Sequence, residues 1–311
     1  MPDTKSTFAS TVISLAKTIA ERLANWERPV VTDYELSILL IDACRGVQTA
    51  IDLQLYEAVR EQLHSFQLIK PSKDFKADSV FHLFGRANPS AMEVACATDP
   101  FAYVTHLSAM EFHGITDRFS KILYLTTPVA KEWNEQALER MSKEVRIGLE
   151  AFLVAKLPIL RFHRFERVEG MRVEWLRRSN RGAFKTIASP SIRVAMIGRT
   201  FLDMVREPDH CGGMQHVIDT YREYAARYLP LLVDEIERNG KSIEKVRAGY
   251  LLEVACKLSH PRIEAWKSCA QRGGSRVLDP KGEYASFYSD VWKLSINVPS
   301  QMPQGFTEES S

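Results

Sequence analysis

The sequence predicts an α+β chain, and three observations predict it. Apolar residues recur at helical spacing in three stretches before residue 67. Two short segments of strand composition follow them. Beyond "GRANPS" the pattern turns to short strand and helix alternation, and then to helical periodicity over most of the remaining chain.

The first stretch, "STFASTVISLAKTIAERLANWE", carries Phe8, Val12, Leu15, Ile19 and Leu23 on one face, which predicts an amphipathic helix ending near Trp26. Pro29 breaks it. Thr32 with Glu35 three residues later makes a capping box, so "YELSILLIDAC" reads as a second, mostly buried helix, with Gly46 marking a turn. A third helix buries Leu55 or Tyr56, Val59, Leu63 and Phe66, while Gln54, Glu57, Glu61 and His64 face away. "QLIKPS" and "SVFHLF", joined by the polar "KDFKAD", then read as two strands. Three helices followed by a two-stranded ribbon are the order of a winged helix-turn-helix, expected over residues 1–87.

Residues 88–298 are expected to form a larger mixed α/β, mainly helical domain. It starts with helix "SAMEVACA", strand "FAYVTH", helix "LSAMEFH" and strand "KILYLTTP". Trp133, Ala137, Met141, Val145, Leu149 and Phe152 then predict one long helix over 131–156, ended by Pro158. Residues 159–188 look β-like and basic. "SIRVAMIGRTFLDMVRE", "MQHVIDTYREYAARYLPLLVDEIE" with Pro230 kinking or splitting it, "EKVRAGYLLEVACKL" and "PRIEAWKSCAQ" read as helices, "VWKLSINV" as a last strand, and 299–311 as a disordered tail.

Composition narrows the function classes. The 311 residues carry a net charge of +2, so attraction to a polyanion must be local rather than global. Five scattered cysteines without any C-x-x-C indicate neither a disulfide framework nor a zinc knuckle. No apolar run approaches the ~18 residues of a membrane span, and "MPDTKSTFAS" lacks a secretory layout, so a cytoplasmic location is expected.

Catalytic patterns are weak. His106 and His113 stand about 10 Å apart along a helix, too far for one metal ion, and Thr105 and Gly114 read as the caps of that helix. Asp203, Glu207, Asp209, His210 and Cys211 gather in "LDMVREPDHCGG", which suggests acid-base or Cys-His chemistry but reads more simply as a loop between helices. No cofactor or metal is expected, and no enzymatic activity.

Two groups of candidate binding residues remain. Gln54, Arg60 and His64 of the third helix, with Lys70, Lys73, Lys76 and Arg86 of the wing, are placed to touch DNA, although residues 1–87 hold ten Lys or Arg against eleven Asp or Glu. In "RFHRFERVEGMRVEWLRRSNRGAFK", Arg161, Arg164, Arg167, Arg172, Arg177, Arg178, Arg181 and Lys185 stand against three Glu. Phe162, Phe165, Trp175 and Phe184 are interleaved, which suits a polyanion or a protein partner.

"YVTHLSAMEFHGITD" with "ILYLTTP", "IASPSIRVAMIGRTFLDMVREPDHCGGMQHVI", and the later "RAGYLLE", "LDP" and "WKLSINV" together resemble, in order and spacing, the AbiEi family of type IV antitoxins. That resemblance implies a winged helix that represses its own operon by binding operator DNA with inverted repeats, and a C-terminal region that neutralises a cognate AbiEii-type nucleotidyltransferase toxin. The alternatives are a winged-helix protein-interaction module without operator binding, or a metal-dependent nuclease or nucleotidyl-transfer enzyme using Asp203, Glu207 and His210.

Overall fold

The computed structural model describes residues 4–45, 49–76, 78–86, 88–179, 182–187, 191–271 and 276–303. It is a mixed α/β chain with several sheets. Its elements begin α1 (Thr4–Ala24), β1 (Val30–Thr32), α2 (Asp33–Ala43), α3 (Leu53–Ser65), β2 (Ile69–Pro71) and β3 (Val80–Leu83). There follow α4 (Ala91–Thr98), β4 (Tyr103–Val104), α5 (His106–Phe112), β5 (Ile122–Pro128), α6 (Ala130–Glu144) and α7 (Leu149–Val154). Next come β6 (Arg167–Val168), β7 (Met171–Arg178), β8 (Phe184–Ile187), β9 (Ile192–Ala195) and α8 (Ile197–Arg206). The chain closes with α9 (Met214–Asn239), α10 (Ser242–Tyr250), α11 (Pro261–Trp266), β10 (Tyr288–Ser289) and β11 (Leu294–Ser295). Strands order as β1-β3-β2 in one sheet, β6-β7-β5-β4-β9-β8 in a second, and β10-β11 in a third. No helix among the described residues is long and apolar enough to cross a membrane.

Two compact units divide the chain. One is Met1–Tyr103 with Leu125–Arg181 and Thr186–Arg193; the other is Val104–Tyr124 with Gly182–Lys185 and Val194–Ser311. This division does not fall at residue 87, because later segments complete the first core. Val12, Leu15, Ile19, Tyr34, Leu40, Leu55, Val59 and Leu63 share a buried cluster with Trp133, Ala137, Met141, Val145 and Phe152. The second core gathers Phe201, Leu202, Val217, Tyr221, Leu251, Trp266 and Trp292.

Local chemistry explains the starts and stops. Thr32 accepts from the Glu35 amide while the Glu35 carboxylate accepts from the Thr32 amide, so the capping box at α2 forms as the sequence indicates. Ser90 and Glu93 do the same at α4. β1, which no sequence pattern sets apart, is a three-residue buried strand paired antiparallel with β3. Phe8 and Phe66 are exposed, so the apolar stripes of α1 and α3 are one residue shorter than periodicity suggests. The turn expected at Gly46 and the tail from residue 304 lie outside the described residues; residues 299–301 form a single 3-10 turn.

Two elements differ from expectation, and at Pro230 one of the two expected outcomes is excluded. The long helix over 131–156 is two helices, because Gly148 between them adopts φ +88°, which a continuing helix does not allow. The segment from Ser191 is not helical from its start: the β-branched Ile192 and Val194 extend as β9, which pairs in parallel with β4 through Val104 and Val194, and α8 begins only at Ile197. The helix around Pro230 is not split, since α9 runs through it.

Asp99 ties the first unit together. Fully buried, it accepts through Oδ1 from the Trp133 indole (3.1 Å) and the Phe101 amide (2.9 Å), and through Oδ2 from the Thr127 hydroxyl (2.7 Å). Its carbonyl receives Arg193 at 2.6 Å. Replacing Asp99 with Ala strands several buried donors at once, so urea unfolding is expected to show a loss of about 3 kcal/mol or more. Trp133→Phe, which removes a single bond, is expected to cost about 1 kcal/mol on the same measurement.

Candidate nucleic-acid interface

Helix α3 starts at Asp52, whose carboxylate accepts from the Leu55 amide at 2.9 Å, and it buries Leu55, Tyr56, Val59 and Leu63. Its opposite face exposes Gln54, Glu57, Glu61 and His64. Arg60 does not join that face. Its guanidinium lies over the Tyr56 ring at 5.9 Å and 3.9 Å from Asp78, drawn back toward the loop between β2 and β3. In that hairpin Ile69, Lys70 and Pro71 pair with Leu83, His82 and Phe81, and Lys70, Lys73 and Lys76 are exposed. His64 and Lys70 line one groove with His82 and Phe84. Arg86 instead donates to the Trp26 carbonyl at 2.5 Å, just beyond the C-terminal end of α1.

The loop joining β2 to β3 is anchored rather than free. Phe75 is buried edge-on against Phe165 (ring centroids 4.9 Å) and His163 (6.4 Å). Asp74 accepts from the Glu169 amide at 2.9 Å, and the Glu169 carboxylate lies 3.5 Å from His82. Behind Phe75 the rings continue as Phe165 on Trp175, Trp175 on Phe162, and Phe162 on Trp133, at 5.1, 5.1 and 5.9 Å. Edge-to-face pairs of this kind each add about 1 kcal/mol beyond their burial.

The basic segment 161–185 separates into parts with different uses. Arg161 forms an ion pair with the buried Asp33 at the start of α2, and Arg177 covers the Phe162 ring at 4.6 Å. Arg164, Arg167 and Arg172 line a groove with Phe165, Trp175, Glu166 and Glu174. Arg178 is half-buried on β7, Arg181 lies outside the described residues, and Lys185 belongs to the other unit, where it sits over Phe112 at 5.8 Å. Three of the eight residues are therefore brought together.

Asp33 and His163 form a buried polar pair that sequence reasoning missed. The His163 Nε2 atom is 4.0 Å from Asp33 Oδ1. Burial raises the Asp33 carboxyl to about 6 despite the Arg161 guanidinium beside it. Burial, together with the charge of Arg161, lowers His163 to about 4. Asp33 was legible only as part of a helix start. Phe75 carried one usable signal: it is a ring in the otherwise polar "KDFKAD".

The second unit holds the residues considered for catalysis. His106, buried at φ +53°, contacts Thr105 Oγ1 through Nδ1 (2.9 Å) and Glu207 through Nε2 (3.0 Å), and packs against Tyr124 and His210. Thr105 makes no side-chain cap bond, whereas Gly114 adopts the left-handed φ of +64° expected after the helix. His113 reaches the Ala195 carbonyl instead of His106. Asp203 is bound by Arg199 at 2.8 Å and lies 3.7 Å from Arg206. The Cys211 thiol is pushed well up by burial and by the carboxylates of Asp203 and Glu207, the opposite of what an activated nucleophile needs.

No protein-family model matches the chain, and no curated protein matches it. Among solved structures it is similar to the crystal structure of RV2827C protein from Mycobacterium tuberculosis. That likeness has 13% sequence identity, covers 90% of each chain and has a TM-score of 0.49.

The buried pair generates an opposed pH dependence. An unfolded histidine titrates near 6.5, so with His163 lowered to about 4 the native state loses stability as pH falls through that window, by up to about 3 kcal/mol. Asp33, raised to about 6, has the reverse sign: its contribution is full below the unfolded value of 3.8 and is lost as pH rises through 6. His163→Gln is therefore expected to gain on the parent by up to about 3 kcal/mol between pH 7 and pH 4 in denaturant melts. A pH-independent difference between the two proteins would contradict this account.

Proposed function

We propose that the chain is a winged-helix DNA-binding regulator that also serves as the antitoxin partner of a nucleotidyltransferase toxin, as its resemblance to the AbiEi family implies. The observation that carries the DNA-binding half is the order α1-β1-α2-α3-β2-β3 with an antiparallel β1-β3-β2 sheet. That order and pairing support a reading in which the third helix enters the major groove and the β-hairpin flanks it as a wing.

On this reading the exposed face of α3 reads bases and the hairpin holds phosphates. Gln54 suits adenine, whose N6 and N7 pair with a side-chain amide. Glu57 and Glu61, which repel phosphate, suit the N4 amino group of cytosine. Lys70, Lys73 and Lys76 supply the sequence-independent attraction. The near-neutral charge of residues 1–87 favours a binder that depends on few phosphate contacts. It also supports the second reading, a protein-interaction module that does not bind DNA.

The purified protein is expected to shift a duplex from its own upstream region at low salt. Changing Lys70, Lys73 and Lys76 together to Ala is expected to flatten the slope of log K against log salt by up to about 3. The same full-length variant is expected still to rescue growth when co-expressed with an AbiEii-type nucleotidyltransferase. Rescue without any DNA shift by the parent would favour the interaction module; failure to rescue would remove the antitoxin half.

A further inference from the structure

The hairpin formed by β6 and β7 has a feature that folding alone does not reward. Glu169 and Gly170 link the strands with φ of +47° and +78°, the positive pair of a type I′ turn. The register then sets Arg167 directly opposite Arg172. Side chains paired in this way share a face of the sheet, and like charges so placed are destabilising. The nearby carboxylates relieve this only in part: Glu174 stands 3.9 Å from Arg172, while Arg167 donates to the Gly170 carbonyl at 2.7 Å. Both arginines, with Arg164, line the groove that Phe165 and Trp175 floor.

The second observation is position. Phe165 receives Phe75 from the β2–β3 loop and also lines this groove, and Asp74 of the same loop binds the tip of the β6–β7 turn. The groove therefore begins at the anchor of the hairpin that carries Lys70, Lys73 and Lys76.

We propose that the β6–β7 hairpin is a second phosphate-binding element, fixed to the wing by Phe75 and Asp74, which grips the duplex backbone beside the wing through Arg164, Arg167 and Arg172. It rests on the DNA-binding reading and extends the footprint past the helix and wing that reading invokes. The like-charged pair is resolved when phosphate oxygens accept from both guanidinium groups. Glu166 and Glu174 in the lining keep the groove close to neutral overall, so it orients backbone already drawn in by the lysines rather than attracting it from a distance.

The test compares the full-length parent, the double variant Arg167→Ala with Arg172→Ala, the double variant Arg167→Lys with Arg172→Lys, and the triple lysine variant. Each is titrated with a mixed-sequence duplex and, separately, with a single-stranded RNA at several salt concentrations. The double alanine variant is expected to lower the slope of log K against log salt by about 2, and the double lysine variant to retain it. Thermal unfolding of the double alanine variant is expected to be unchanged or higher, because a repulsive pair has been removed; a structural role for the arginines would lower it.

An unchanged duplex slope, with the triple lysine variant flattened, overturns the hairpin proposal and leaves the DNA-binding reading intact. Loss confined to single-stranded RNA, with duplex binding kept, overturns it too. If the parent binds no duplex even at low salt, the DNA-binding reading falls and the proposal falls with it.

Discussion

The edge-to-face contact between Phe75 and Phe165 is the constraint on which the first unit's candidate surface depends. Ninety residues separate the two rings in sequence, yet they bring the β2–β3 loop onto the β6–β7 hairpin at 4.9 Å. The contact is the outer end of a ladder of rings that reaches Trp133, whose indole is fixed by the buried Asp99. An anchored loop loses less conformational entropy when it meets a ligand, because that entropy has already been lost on folding.

Charge counted along a sequence differs from charge available at a surface, and this chain illustrates why. Arg161 is committed to Asp33, Arg177 to a ring, Arg86 to the Trp26 carbonyl, and Arg193 to the carbonyls of Cys96, Ala102 and Asp99. In the second unit Arg199 and Arg206 are spent on Asp203 and Glu244. Guanidinium groups satisfy several acceptors at once and tolerate burial better than ammonium groups, so structural work consumes arginine first. On the candidate surface, Lys70 of β2, Lys73 and Lys76 of the β2–β3 loop, and the arginines of one groove stay exposed.

Helix boundaries and apolar faces were the legible part of the fold. Thr32 with Glu35 marks a helix start because capping is local chemistry, and the stripe Leu55, Val59, Leu63 marks the buried face of α3 by spacing alone. What escaped depends on distant partners. β9 reads as helix until Val104 is known to lie beside Val194, and β1 is three residues whose identity as a strand comes from β3. The candidate surface was legible as residue types but not as groups: nothing local in 161–185 tells which arginine meets Asp33, which meets a ring, and which three face a common groove. The gathering of Asp203, Glu207, His210 and Cys211 was visible from spacing. Only the three-dimensional partners show that Arg199 holds Asp203 and that the Cys211 thiol is buried.

The seating of Phe75 also bears on how this chain can change over evolutionary time. A hairpin loop at a protein surface ordinarily tolerates insertions, since added residues merely swell into solvent. Here the loop is cut to length, like a tenon to its mortise: one residue more or fewer before Phe75 would withdraw the ring from Phe165 and lift Asp74 from the Glu169 amide. A change of length in "KDFKAD" or in the turn around "EG" would therefore need a matching change in the other, or it would uncouple two segments that the rest of the sequence keeps far apart.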